Sequence, residues 1–203
     1  MPTRSPLDRL RAVLAGRVPG TRGEWELGEH MRFTGAFRDA AVLVLLRGGA
    51  AGPEVLLTRR PSTLRLHPGE VALPGGGREP GDADMTAAAL REAWEEVGIP
   101  PQAVEVLGSL DVFEGATGHR LHTTVGVLTG DVPLRLGENE VEEAAWVPVL
   151  PLAPLAGRKT LIWKGREATT HRFPLDRLAP EVWGLTAGVL VLLLELLNPP
   201  QDP

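Results

Sequence analysis

A helix that finishes on three clustered carboxylates limits this chain's choices more than any other feature. Asp82 and Asp84 are N-cap candidates for a helix of about Met85 to Val97, and Gly98 followed by Pro100-Pro101 stops it. Glu92, Glu95 and Glu96 stand at i, i+3 and i+4 and so share one face. They also occupy the last two turns, where the helix dipole favours cations over anions. Two like charges held about 4 Å apart repel by about 4 kcal/mol at an effective dielectric of about 20. Two readings follow. The face is solvated, with Arg91 paired to Glu95 four residues on, or a cation sits among the carboxylates. Ligands that are all oxygen suit Mg2+ or Mn2+ rather than zinc.

The residues just upstream favour the cation. Glu70 to Leu73 reads as a short strand that ends at Pro74-Gly75-Gly76-Gly77, and this turn opens the loop into the helix. Glycine lets backbone carbonyls approach a bound ion closely. A solvated helix face would not require such a loop.

Around this unit the chain alternates short apolar runs with turn signals. Ser5-Pro6 followed by Leu7, Leu10, Val13 and Leu14 predicts a capped amphipathic helix. Residues 20–37 are Gly-rich and polar, and read as loop. Strands are expected at Ala40 to Leu46, Glu54 to Thr58, Val104 to Leu110, Leu121 to Leu128 and Ala144 to Val147, with a weaker one at Ala168 to Phe173. Pro180 opens a last, strongly apolar helix through Leu197. The pattern predicts an α/β fold with a mixed sheet covered by helices on both faces. It divides into an N-terminal helix-and-loop extension over 1–37 and a main domain over 38–203 that includes the last helix.

Composition removes several function classes. With 21 Lys+Arg against 26 Asp+Glu the net charge is −5, which argues against nucleic-acid binding through a broad basic surface. Four Phe, five Trp and no Tyr leave little for base stacking. Zero cysteines exclude disulfides, thiolate zinc sites and a Cys nucleophile. The apolar run from Trp183 to Leu197 is shorter than the roughly 20 residues that span a bilayer, so a core or dimer helix is expected there. The breadth of its apolar face, with Leu190, Leu193, Leu194 and Leu197 widening the stripe, suggests a homodimer. The first twenty residues lack a continuous apolar segment, so a cytoplasmic protein is expected. His119 and His122, three apart on a strand, would face opposite sides and make a poor zinc pair.

The segment Arg91-Glu92-Ala93-Trp94-Glu95-Glu96-Val97-Gly98-Ile99 resembles the signature of the Nudix hydrolases, with Gly77 fourteen residues before Arg91 as that signature asks. One position departs. The first Glu of the box falls on Ala83, between Asp82 and Asp84. The resemblance implies a Nudix-like α/β/α sandwich with a Glu-rich catalytic helix, and hydrolysis of a nucleoside diphosphate linked to another moiety. It implies Glu92 and Glu96 as core metal ligands, Glu95 as a further contact, and a carbonyl of Gly75 or Gly76 completing a site for Mg2+ or Mn2+. A second run, Leu56-Leu57-Thr58-Arg59-Arg60, then Arg65, Gly69 and Leu73-Pro74-Gly75-Gly76, resembles the motif of the coenzyme A pyrophosphatase branch, with Pro61 and Leu73 as departures. Trp183-Gly184-Leu185-Thr186-Ala187 and Glu140-Val141 echo the same branch.

That branch implies cleavage of coenzyme A to 3′,5′-ADP and 4′-phosphopantetheine. Arg59, Arg60 and Arg65 could grip its phosphates through charge-assisted bonds, although Arg59 and Arg60 also suit exposed strand-edge charges. A general base must reach the attacking water. Glu70, four residues before Pro74, is the preferred candidate, followed by Glu95 and by Glu140 from a distant loop. The same chemistry on ADP-ribose, NADH or a dinucleoside polyphosphate is the alternative, and a non-catalytic nucleotide sensor a second one.

Overall fold

The computed structural model describes residues 5–23, 33–65 and 67–198. The elements run α1 (Pro6–Leu14), β1 (Thr21–Gly23), β2 (Arg38–Gly49), β3 (Gly52–Arg59), β4 (Val71–Ala72), β5 (Gly75–Gly77), α2 (Met85–Val97), β6 (Val104–Ser109) and β7 (Val112–Glu114). They continue with β8 (His119–Leu128), β9 (Glu143–Pro148), β10 (Gly157–Trp163), β11 (Arg166–Pro174), β12 (Glu181–Trp183) and α3 (Gly184–Leu197).

The main sheet is mixed, as the alternating pattern predicts. Its path is β1-β7-β8-β2-β3-β4, with β5 on β2, β6 on β8 and β9 on β3. Strand β2 is the centre. It lies parallel to β8 from Arg38↔His119 to Leu46↔Val127. On its other side it pairs antiparallel first with β5, at Ala40↔Gly77 to Val42↔Gly75, and then with β3, at Leu46↔Val55 to Gly49↔Gly52. At the fork between β5 and β3, the Leu43 N–H donates to the Pro74 carbonyl at 2.9 Å.

Strand periodicity sorts β2 onto two cores. Ala41, Leu43 and Leu45 pack under Ala88, Ala89, Ala93 and Val97 of α2. Val42, Val44 and Leu46 belong to a larger core with α3 on the opposite face. The small alanines let α2 lie close to the sheet. Its ends are sharply fixed: the Asp84 carboxylate accepts from the Ala87 N–H at 2.8 Å, and Gly98 leaves the helix at φ 72°, a left-handed cap suited to glycine.

The last helix starts later than expected. Glu181–Trp183 pairs with β11 as a strand, and Gly184, at φ 70°, turns the chain into α3. Helix α3 packs on β11, β12, β7 and α1. Leu190, Leu193 and Leu197 are fully buried, each contributing about 1.5–3 kcal/mol, and α3 contributes no exposed large apolar side chain. The surplus apolar face that suggested a homodimer is therefore covered within one chain. Among the described residues no helix is long and apolar enough to cross a membrane.

Three other expectations change. Gly75-Gly76-Gly77 is itself a strand edge rather than a free turn, and β10, which pairs with β11 along its length, is a strand the apolar pattern does not predict. Part of 20–37 forms β1, lying parallel to β7, while residues 24–32 lie outside the described residues. The N-terminal segment is anchored by Asp111, whose buried carboxylate accepts from Arg17 and Arg22, each at 2.5 Å, and from the Gly20 N–H at 2.9 Å.

Candidate active site

The site is built where α2 runs alongside β5. The Gly75 N–H donates to the Glu96 carboxylate at 3.1 Å. A Cβ at Gly76 would fall on the Glu92 carboxylate, so that side chain lies directly against the glycine backbone. Glu96 is only 6% exposed, which is unusual for a carboxylate and leaves the desolvation of its charge largely uncompensated. Burial, reinforced by Glu92 and Glu140, pushes its acid form up to about 8, against the pull of the Gly75 N–H and Arg60. Burial also raises Glu92, opposed by Arg91.

Glu95 is placed differently. Its carboxylate faces solvent and accepts from Arg91 at 2.8 Å, the i+4 pair the sequence allows, and Arg91 also stands 3.0 Å from Glu92. Among the described residues no three His, Asp or Glu side chains converge as a ready metal cluster. The donor set still fits a divalent ion. It offers only oxygens, its two innermost carboxylates touch the Gly75-Gly76 backbone, and the more buried of them lacks a full counter-charge.

Asp82 was expected as a cap and is instead the anchor of Arg91. It accepts from the Arg91 guanidinium at 3.2 Å and from the Glu79 N–H at 2.7 Å, and Arg91 also reaches the Gly77 carbonyl at 2.8 Å. Arg91 holds the Asp82 carboxylate below its ordinary range. Asp82 thus places a carboxylate on Arg91 one residue before Ala83, the position where the signature has Glu. The clue in the sequence was the pair of aspartates flanking that position. Replacing Asp82 by Asn should free Arg91 from its anchor and lower metal affinity or activity by about 10- to 100-fold. Metal titrations of kcat/KM would show it; an unchanged titration would deny Asp82 that role.

The loop after β8 closes the far end of α2. The Arg135 N–H donates to the Val97 carbonyl at 3.0 Å and the Gly137 N–H to the Glu96 carbonyl at 2.8 Å. A Cβ at Gly137 would press on the Glu95 carbonyl, so glycine permits this contact. The loop brings Glu140 near enough to raise both Glu92 and Glu96. Glu70, preferred as base from the sequence, instead has its carboxylate on His67 at 2.8 Å. Of the three arginines, Arg60 is half-buried and its charge acts on Glu96. Arg65 is exposed, and Arg59 is occupied by Glu142 at 2.7 Å and Glu143 at 3.2 Å. His122 bonds to Asp39 at 2.8 Å and His119 to the Thr117 hydroxyl at 3.0 Å, so the two histidines serve different neighbours.

Glu96 also sets a pH dependence. A carboxyl that binds its proton more tightly folded than unfolded contributes stability below the unfolded value of 4.5, and that contribution is lost as pH rises towards about 8. Without divalent ions, this group should cost the protein on the order of a few kcal/mol between those limits. Thermal melts of wild type and Glu96→Gln across this window check it. A Glu96→Gln profile as steep as wild type would assign the slope elsewhere.

Compared with known proteins, the chain matches the NUDIX domain over residues 36–169. The uncharacterized Nudix hydrolase NudL of Cronobacter sakazakii is 42% identical over 155 residues, covering 75% of this chain and 79% of that protein. NudL of Escherichia coli O157:H7 matches with the same identity and coverage. Among solved structures, a NUDIX hydrolase from Alicyclobacillus acidocaldarius aligns with a TM-score of 0.47 at 26% identity, over 58% of this chain and 81% of that one. The NUDIX domain of Shewanella oneidensis NrtR, complexed with ADP ribose, aligns with a TM-score of 0.47 at 18% identity, over 64% and 82%. The chain belongs to the Nudix hydrolase family. It is a hydrolase of pyrophosphate bonds in nucleotide-like substrates, a chemistry for which the family generally uses divalent metal ions.

Proposed function

We propose that this enzyme hydrolyses the pyrophosphate of coenzyme A and its derivatives to 3′,5′-ADP and 4′-phosphopantetheine, with Mg2+ or Mn2+ and in the cytoplasm. The observation that carries the reading is the placement of Arg60. The motif from Leu56 to Gly76 leads out of β3 to the glycine strand, and its Arg60 lies near enough for its charge to favour the Glu96 carboxylate.

In this reading Glu92 and Glu96, with Glu95 and the Gly76 backbone, hold the metal. Bound there, the ion would neutralise phosphoryl oxygens and acidify a water. Arg60 and Arg65 offer charge-assisted bonds to the pyrophosphate oxygens beside Gly75. Asp82 fixes Arg91, which in turn restrains Glu92 and Glu95. Glu140 replaces Glu70 as the preferred general base, because its charge acts on both Glu92 and Glu96 while Glu70 is taken by His67.

Turnover of coenzyme A, ADP-ribose, NADH and a dinucleoside polyphosphate, each with Mg2+ and with Mn2+, tests the proposal. Coenzyme A should show the highest kcat/KM, and phosphopantetheine should appear with 3′,5′-ADP. Higher kcat/KM on ADP-ribose or NADH would reassign the substrate within the same chemistry.

A further inference from the structure

Coenzyme A carries one phosphate apart from its pyrophosphate, and the arginines near the glycine strand leave that phosphate without an obvious partner. Arg59 is consumed by Glu142 and Glu143, and Arg60 lies at Glu96. We propose that Arg38 and His119, flanked by His67, form a second phosphate subsite, which receives the phosphomonoester on the ribose of the substrate. This rests on the coenzyme A reading above.

Two strand starts meet here, and the His67 loop lies within electrostatic reach of them. Arg38 opens β2 and His119 opens β8, and the parallel register sets them directly side by side. Alternation along β2 puts Arg38 in step with Val42 and Val44, on the face away from α2. The Arg38 N–H donates to the Gly118 carbonyl at 2.9 Å, fixing the two strand starts together. His67 comes from the loop after β3. It adopts φ 55°, and the Glu70 N–H donates back to its carbonyl at 3.3 Å, so a tight turn presents the side chain.

The charges in this corner point to an anion. Arg38 is exposed and its side chain makes no ion pair with a described residue. The nearby carboxylate, Glu70, is bonded to His67 at 2.8 Å. Burial, and the positive charge of Arg38 and His67, hold the His119 imidazole below its ordinary value. A doubly negative phosphate would relieve that mutual repulsion. Arg38 lies three residues before Ala41, the partner of Gly76, which is roughly 10 Å along the strand.

Calorimetry with adenosine 3′,5′-bisphosphate and adenosine 5′-monophosphate tests the subsite without turnover. Wild type should prefer the bisphosphate by about 10- to 100-fold, the worth of a charge-assisted contact. Arg38→Gln should reduce that preference to within about threefold while leaving the monophosphate affinity unchanged, and His119→Gln should lower it partly. In parallel, Arg38→Gln should reduce kcat/KM on coenzyme A and spare 3′-dephospho-coenzyme A. A preference untouched by either variant, or an equal loss on both ligands, overturns the subsite. If the bisphosphate preference depends on Arg38 and yet coenzyme A is not hydrolysed, the substrate reading falls and the subsite stands. Arg38 is exposed, so a thermal melt matching wild type is expected and separates binding from folding.

Discussion

Glu96→Gln is expected to cost at least about 10²- to 10³-fold in turnover while the metal-free protein remains as stable as wild type or becomes more so. The two effects have one cause. Glu96 is almost wholly buried, close to Glu92 and Glu140, and its charge is therefore expensive in the absence of a cation. An amide keeps the shape and can still accept from the Gly75 N–H, but removes the charge. Folding loses a penalty, and the reaction loses an anion that would hold the metal. Steady-state rates over a Mg2+ titration, alongside melts in EDTA, measure both. Near wild-type turnover at saturating Mg2+ would remove Glu96 from the metal site.

Adjacent glycines should fail in opposite ways. At Gly75 a methyl group would meet the Ala41 carbonyl and the Val42 Cα, which are backbone atoms of β2. Neither can yield without breaking the β2–β5 pairing, so Gly75→Ala should destabilise by about 1–3 kcal/mol or more. At Gly76 the methyl would meet the far end of Glu92, a side chain that can swing aside. Gly76→Ala should therefore melt near wild type and lose about 10²-fold in activity, the usual result of displacing a reacting group by about an ångström. If Gly76→Ala keeps full activity, the contact between Glu92 and the glycine strand has no catalytic meaning.

What could be read from the sequence was local. Helix α2 was legible from Asp84 to Gly98 because capping residues and the carboxylate spacing lie within the helix itself. The core strands β2, β3 and β8 showed as apolar runs because both of their faces are buried. Strand β10 was not legible: polar and apolar residues mix along it, and its partner β11 stabilises it. Pro180 looked like the first turn of a helix, but the next three residues pair with β11 before Gly184 turns the chain. The site shows the same division. That Glu92 and Glu96 share a helix face near Gly75 and Gly76 followed from spacing, whereas the pairing of those glycines with β2 did not. The role of Arg59 did not, because Glu142 and Glu143 reach it only through the β3–β9 pairing. Glu70 looked well placed along the chain, but the turn at His67 takes up its side chain.

The forked pairing of β2 has a consequence for how the enzyme can move. The strand that anchors the glycine edge is also the middle of the sheet, bonded to β8 on one side and to β5 and β3 in succession on the other. A backbone held so has no hinge of its own, and the reacting corner behaves as a stator. Its amides belong with those that exchange with solvent deuterium only on global unfolding. Accommodation of substrates of different bulk then falls to the segments between β3 and β4 and between β8 and β9, whose described residues include Arg65 and Glu140. Variation among relatives in the substrates they accept should accordingly be written in those two loops, with the glycine strand and α2 left alone.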